Sequence, residues 1–424
     1  MTPSDIFHSP LLITSFYNLI ILFIVQITFS RAKKVIPGGV PGHLGTTASY
    51  EGYPVFSGQA KGAYFWDIDG NRFLYFMCAY GPNILGYNDE YVDAAAMAQL
   101  KRENLVTAPS AKMIEFAEVL VDTVDMADWA LFAKNGSDTT SLALMIARAA
   151  TGRKKAILIN GNYHGSSPWS QRPDAAGVCE EDLANNIYVD WNNLQQVEQA
   201  IRDNPGEIAC FLSTPYFHPV RAANEMSAEG YWEAIRKLCT DNGIVLAIDD
   251  IRCGFRLDLA GSDKYFGFKA DLMCFCKALA NGWSISALCG IDALKDAVKR
   301  VMFTGSYWLS AVPFAAGIAC INRLKELNGA AYMLSLGSKY LEGLCSLAAS
   351  HGYHMEVSGA LSLFYLQLNN DRGQHRAWVT ECVRRGVFLT SSHNMFTCCA
   401  MTEQDVDFSL EVADEALKAI KGME

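Results

Sequence analysis

Four stretches of this chain place reactive side chains directly after apolar runs. Lys277 follows Leu272-Met273-Cys274-Phe275-Cys276 and precedes the turn-forming pair Asn281-Gly282. A lysine at the mouth of a buried strand is costly unless something neutralises its amine or uses it. Asp249 and Asp250 follow the apolar run Ile244 to Ile248, with Asp249 lying 28 positions before Lys277. Two acids there imply that one faces inward and needs a cationic partner. Gly136 and Ser137 come after "ALFAKN" and open a helical pattern. Free N–H groups at such a helix start suit a phosphate. Tyr163 and His164 lie in "NGNYHG", after Ala156 to Ile159, where an aromatic face could sit under a planar ring.

Each stretch also has a plainer reading. Gly136 and Ser137 could be part of a well-capped helix, Tyr163 and His164 a packed aromatic beside a satisfied histidine, and Asp249 with Lys277 a buried ion pair. One ligand nevertheless uses all four stretches. A phosphorylated pyridine aldehyde needs a phosphate cradle, an aromatic under its ring, a carboxylate at its ring nitrogen and a lysine for a Schiff base. A metal is not indicated, because neither Cys274/Cys276 nor Cys398-Cys399 has zinc-ligand spacing with paired histidines.

The elements that must position these residues alternate along the middle of the chain. Short apolar segments at 130–133, 156–159, 209–212, 245–248 and 272–275 read as strands, with helical patterns such as 139–150 and 231–239 between them. This alternation predicts a mostly parallel sheet covered on both faces, whose ligand sits at the carboxyl ends of the strands. "GAYFWDIDGNRFLYF" (62–76) reads as a hairpin turning at Asp69-Gly70. From about residue 311 helical patterns dominate, with "SLFYLQL" as a strand and a last helix near 405–420.

With 424 residues, half of them apolar and 19% charged, the chain can bury an enzyme-sized core. Its net charge of −10 leaves no basic stripe for nucleic acid. The 13 cysteines, mostly inside apolar runs, read as reduced thiols of a cytoplasmic protein. Residues 1–34 stand apart. The uncharged run 11–29, followed by Arg31, Lys33 and Lys34, could just span a bilayer about 30 Å thick and anchor the body to a membrane; an amphipathic docking helix is the other reading.

"IPGGV", "GAYFWDIDGN", "NGSD", "NYHG", "LAIDDIRCGFR", "KALANG", "FTGSYW" and "RRGVFL" occur in an order that resembles the class III pyridoxal-phosphate aminotransferases of fold type I, in particular the glutamate-1-semialdehyde aminomutase-like branch. The resemblance runs from Val35 to the C-terminus. It implies an α/β protein with a large domain (96–315) around a mostly parallel sheet. The smaller α/β domain would be built from an N-terminal segment (35–95) and a C-terminal one (316–424). The resemblance makes Lys277 the Schiff-base lysine, Asp249 the partner of the ring nitrogen, Gly136 and Ser137 the phosphate binders and Tyr163 the stacking ring. Thr304 would complete the phosphate site from the second subunit of a homodimer. The implied activity is amino transfer between an amine or amino acid and a carbonyl acceptor. An aminomutase is the alternative within the family, and a non-catalytic, membrane-tethered module is the alternative outside it. One departure bears on substrate. Gly45 stands where the aminomutase carries an arginine for the substrate carboxylate, which implies that one half-reaction uses a compound without a carboxylate beside the reacting carbon.

Overall fold

A strand covered by helices on both faces is dry along its whole length, and four consecutive strands of one sheet here are. The computed structural model describes residues 27–40 and 56–421. In chain order the strands are β1 (Ser57–Lys61), β2 (Tyr64–Asp67), β3 (Arg72–Tyr75), β4 (Trp129–Ala133), β5 (Lys155–Ile159), β6 (Asn186–Val189), β7 (Ile208–Ser213), β8 (Val245–Asp249), β9 (Leu272–Phe275), β10 (Ser286–Gly290), β11 (Met355–Ala360), β12 (Leu363–Leu368), β13 (Val387–Phe388) and β14 (Met395–Phe396). The central sheet has the order β4-β10-β9-β8-β7-β5-β6. Every residue of β7, β8, β9 and β10 is buried.

The pairs β6/β5, β5/β7, β7/β8 and β8/β9 are parallel, while β10 runs antiparallel to both β9 and β4. Two reversals cancel, so β4 points the same way as β5 to β9. The carboxyl ends of β4, β5, β7, β8 and β9 therefore share one edge of the sheet.

The five expected strands are present, lengthened by one or two residues or unchanged. Two more, β6 and β10, carry no comparable sequence signal. Only Val189 of the edge strand β6 is buried, and its apolar run is just Ile187 to Val189. β10 is a short run that ends on Gly290, where Trp129 of β4 lies close. A Cβ built on Gly290 would come within 2.2 Å of the Trp129 ring.

The expected hairpin forms from β2 and β3, paired antiparallel from Tyr64/Leu74 to Trp66/Arg72. Its turn is held by Asp67, whose carboxylate accepts from the N–H groups of Asp69 and Asn71. β13, from near the other end of the chain, adds parallel to β3, so both ends of the described chain share the sheet β1-β2-β3-β13. A third sheet, β11-β12-β14, is antiparallel throughout. Of the long helices, Gly329–Ser350 packs against β11, Glu403–Lys421 packs on that helix, and Ala311–Glu326 packs on the helices Glu90–Leu100 and Ala111–Thr123.

All thirteen cysteines are free thiols, and no metal-binding cluster occurs among the described residues. Most of the run 11–29 lies outside the described residues. Among those described, no helix is long and apolar enough to cross a membrane.

Arg256 joins the layers at a point where no water reaches. Its guanidinium is fully buried and donates to the Thr397 carbonyl at 2.7 Å and to the Gly81 carbonyl, and it lies 4.9 Å from the centre of the Phe396 ring. Replacing Arg256 with Ala orphans both carbonyls and opens a cavity. The expected loss of stability in denaturant unfolding is about 3 kcal/mol or more. A loss under about 1 kcal/mol would show that the neighbouring layers close up without it.

Candidate active site

The shared edge of the sheet encloses a cavity of about 230 Å³. Its wall takes Asn135, Gly136 and Ser137 from beyond β4, and Tyr163, His164 and Gly165 from beyond β5. Thr214 and His218 come from beyond β7, Asp249, Ile251 and Arg252 from the end of β8, and Cys276 and Lys277 from beyond β9. All four stretches that could do chemistry meet here.

The helix Gly136–Thr151 begins at the cavity. Its N-cap N–H, on Asn135, donates to the Asp138 carboxylate at 2.8 Å. The Asp138 N–H bonds the Asn135 carbonyl at 3.1 Å, while those of Gly136 and Ser137 have no carbonyl of their own helix to bind. A Cβ built on Gly136 would lie 2.6 Å from the Ile251 side chain, so only glycine lets the helix start so near β8. Gly165 has φ +118°, and a Cβ there would strike the Ser137 hydroxyl. That hydroxyl accepts from the Ser166 N–H at 2.9 Å, which ties the two loops together. The result is a cradle of backbone N–H groups walled by residues that leave it open.

Asp249 and Asp250 face opposite ways. Asp249 lines the cavity and meets His164 Nδ1 at 2.8 Å, with both side chains almost wholly buried. A carboxylate only accepts, so Nδ1 carries the proton and donates it. Asp250 turns into the protein, where the N–H and hydroxyl of Ser262 donate to it. Burial raises the Asp250 carboxyl well above its ordinary range.

Lys277 sits at φ +44° in the short turn Lys277–Ala280, an unusual conformation for a residue with a side chain. Burial pushes its amine down to about 8, helped by the charge of Arg252 and opposed by that of Asp249. The buried Asp249–Lys277 ion pair is not formed, because Asp249 is bonded to His164 and to the Ile251 N–H. The free-amine fraction of Lys277 is thus far larger at neutral pH than that of an ordinary lysine, rising to about half near pH 8.

Tyr163 borders the cavity and is 57% exposed, so it lies on the rim and is not the packed aromatic of the plainer reading. Thr304 is exposed and does not line this cavity. Gly45 lies outside the described residues. Tyr80 packs edge-on against His393, and Phe303 against Trp308; none of these lines the cavity.

Sequence reasoning passed over His164 as the partner of Asp249, and passed over His218 altogether. The signal for His164 was its place one residue after Tyr163 at a strand end. Nothing local marks His218, in a loop beyond β7, as a neighbour of Arg252.

The residues present fit pyridoxal phosphate. The cradle suits a dianionic phosphate, Asp249 suits a ring N–H, and the Lys277 amine opens into the same space. Comparison with known proteins agrees. The profile of the aminotransferase class-III family matches residues 46–171 and 175–422. An aminopentol aminotransferase of Sphingopyxis macrogoltabida is 38% identical over 392 residues, covering 92% of this chain and 93% of its own. The FumI protein of Sphingopyxis sp. MTA144, solved in its pyridoxal-phosphate-bound form, superposes with a TM-score of 0.90 at 37% identity, covering 93% of this chain and 96% of that one.

A glutamate-1-semialdehyde 2,1-aminomutase of Methanocaldococcus jannaschii is 29% identical, covering 93% of this chain and 96% of its own. The aminomutase-like branch suggested by the motifs is thus the less similar of the two relatives, and a non-catalytic module is set aside. The chain belongs to the class III aminotransferases, and is a pyridoxal-phosphate-dependent enzyme of fold type I that transfers an amino group between an amine or amino acid and a carbonyl acceptor.

Proposed function

We propose that Lys277 is the covalent and proton-moving residue of this aminotransferase, and that its donor is an amine without a carboxylate on the reacting carbon. The observation behind the first part is the meeting of Lys277, the Asp249–His164 pair and the helix start at Gly136 in one cavity. When bound, pyridoxal phosphate supplies an aldehyde carbon and a ring that draws electrons from the amino carbon.

The chain's residues divide the remaining work. The N–H groups of Gly136 and Ser137 hold the phosphate. Asp249 accepts the ring N–H and keeps that proton in place, while His164 fixes the orientation of Asp249. Tyr163 covers the ring from the rim. Lys277, whose amine burial lowers to about 8, would hold the cofactor through its aldehyde group and, once released, would carry the proton to and from the amino carbon. Thr304 of a second copy completes the phosphate site in a homodimer. A protein that stays monomeric in solution with its full complement of cofactor would exclude that role for Thr304.

The donor class is supported by two observations. Residue 45 is glycine, where the resemblance to the aminomutase implies an arginine for the carboxylate, and the 38% identical relative is named for an amine, aminopentol. Hydrophobic primary amines should convert the cofactor of the purified enzyme to its amino form in a single turnover, read by loss of the visible band. A panel in which only α-amino acids react would overturn the donor assignment.

Lys277→Ala should retain the cofactor without a covalent bond, so that borohydride no longer fixes it to the protein. Turnover should fall on the order of 10⁴-fold or more. Turnover within tenfold of the parent enzyme would remove Lys277 from the mechanism.

Asp249→Asn keeps the shape and removes the charge. Its kcat should drop about 100- to 1,000-fold. Asp250→Asn should act mainly on thermal stability, because Asp250 faces Ser262 and not the cavity. The reverse pattern would mean that Asp250 is the cofactor's partner.

A further inference from the structure

The turn that carries Lys277 is tied down at its far end by one side chain. Asn281 closes the turn Lys277–Ala280 in the left-handed region, at φ +45°, a conformation that asparagine adopts more readily than most residues with a side chain. Its side chain is buried. Oδ1 accepts from the Leu85 N–H at 2.8 Å, and Nδ2 donates to the Gly86 carbonyl at 2.9 Å. One amide thus takes the donor of one residue and the acceptor of the next, as the backbone of a paired strand would. Next to it, a Cβ built on Gly282 would lie 2.8 Å from Asn83 Oδ1, so this end of the turn lies directly on the 83–86 segment.

The segment that Asn281 grips is itself held from behind. The Cys399 N–H donates to the Ile84 carbonyl at 2.8 Å, and beyond Gly86 the backbones of Gly62 and Tyr87 exchange two hydrogen bonds, at 2.8 and 2.7 Å. A Cβ built on Gly86 would strike Ala400. Arg256 holds the Gly81 carbonyl, and Gly81 is where the same segment meets the Lys277 stem. The lysine's turn therefore rests on a fixed wall at both ends, by packing at Gly81 and by two hydrogen bonds at Asn281. The Cys320 thiol, a weak donor, also reaches the Ala278 carbonyl at 3.3 Å.

We propose that Asn281 is a positioning residue, which acts through Lys277 by fixing the strained turn against the 81–86 segment. This rests on the reading of Lys277 as the residue that bonds the cofactor. Asn281 does not line the cavity, so its amide acts at a distance from the chemistry. A left-handed residue such as Lys277 stays in place only while its surroundings hold it. Without the two bonds the turn relaxes, and the amine loses its alignment with the carbon it must reach. A held amine competes with free amines through its effective concentration, and a displacement of about 1 Å costs on the order of 100-fold.

Asn281→Gly isolates the side chain, because glycine adopts φ +45° freely and only the two bonds are lost. The purified holoenzyme is titrated with methoxyamine, which binds carbonyl carbon and has no proton on an amino carbon to transfer, and the cofactor still joined to Lys277 is fixed with borohydride. The methoxyamine concentration that halves the fixed fraction should fall roughly 30- to 100-fold in the variant. The total cofactor retained by the variant before titration should match the parent's, because the Gly136 cradle is untouched. A parent-like midpoint would show that the turn needs no anchor and would overturn the proposal. So would loss of the cofactor itself, since Asn281 would then be shaping the whole cavity. If Asn281→Gly does not fold, Asn281→Asp keeps the acceptor for Leu85 and loses the donor to Gly86; its midpoint should fall by a smaller factor, and an unchanged one would refute the role. Lys277→Ala separates the two levels of inference. If borohydride fixes the cofactor in that variant as well, the assignment of Lys277 fails and this one with it. If fixation requires Lys277 but its midpoint ignores Asn281, only the positioning role fails.

Discussion

A lysine amine loses its proton more readily as water is withdrawn from it and positive charge is brought near, and the charges lining the cavity act on Lys277 in opposite senses. Burial moves Lys277 to about 8, Arg252 pushes the same way, and Asp249 pulls against both. A free carboxylate in contact with the amine would hold the proton on it. Asp249 is instead occupied, with one oxygen at His164 Nδ1 and the other at the Ile251 N–H. The histidine thus fixes the carboxylate at the cavity wall and keeps it from becoming the lysine's salt-bridge partner.

Holding Lys277 in this way strains the backbone. Its φ of +44° is in the left-handed region, as are those of Cys78, Ala79 and Tyr80 in a loop that packs against it. The two segments touch at Gly81, where a Cβ would lie 3.7 Å from Lys277 Cδ. Non-glycine residues in this region cost roughly 1–3 kcal/mol each and persist only when their surroundings hold them there. Arg256 is part of that restraint, through its bond to the Gly81 carbonyl and its place over Phe396. A fully buried arginine far from any carboxylate partner is a costly device. Its place makes sense as a brace for the loop that fixes the lysine's stem.

These relations set what could be read from the sequence. Burial on both faces of a sheet writes itself as apolar runs, so β7, β8 and β9 were legible, and so were the polar residues at their ends. β6 and β10 are short, with apolar runs of only three residues (Ile187 to Val189 and Ala287 to Cys289), too brief to stand out. The pairing of Asp249 with His164 spans 85 positions, and that of Arg252 with His218 spans 34. Such pairs depend on the order of strands in the sheet, which residue types alone do not specify. The two adjacent acids show the same limit. The sequence requires that one of them face inward, but only the placement of Ser262 shows where the other goes.

The overall charge of the chain and the charge of its cavity have opposite signs. The chain carries a net −10, while the cavity brings together Lys277, Arg252 and a helix N-terminus against one carboxylate that is already bonded. Surface charge acts through water and is screened within about 8 Å at physiological salt, whereas charges in a partly buried cavity are screened less. The cavity therefore favours anions over cations, and Arg252, buried and without a carboxylate partner among the described residues, discourages protonation of Lys277.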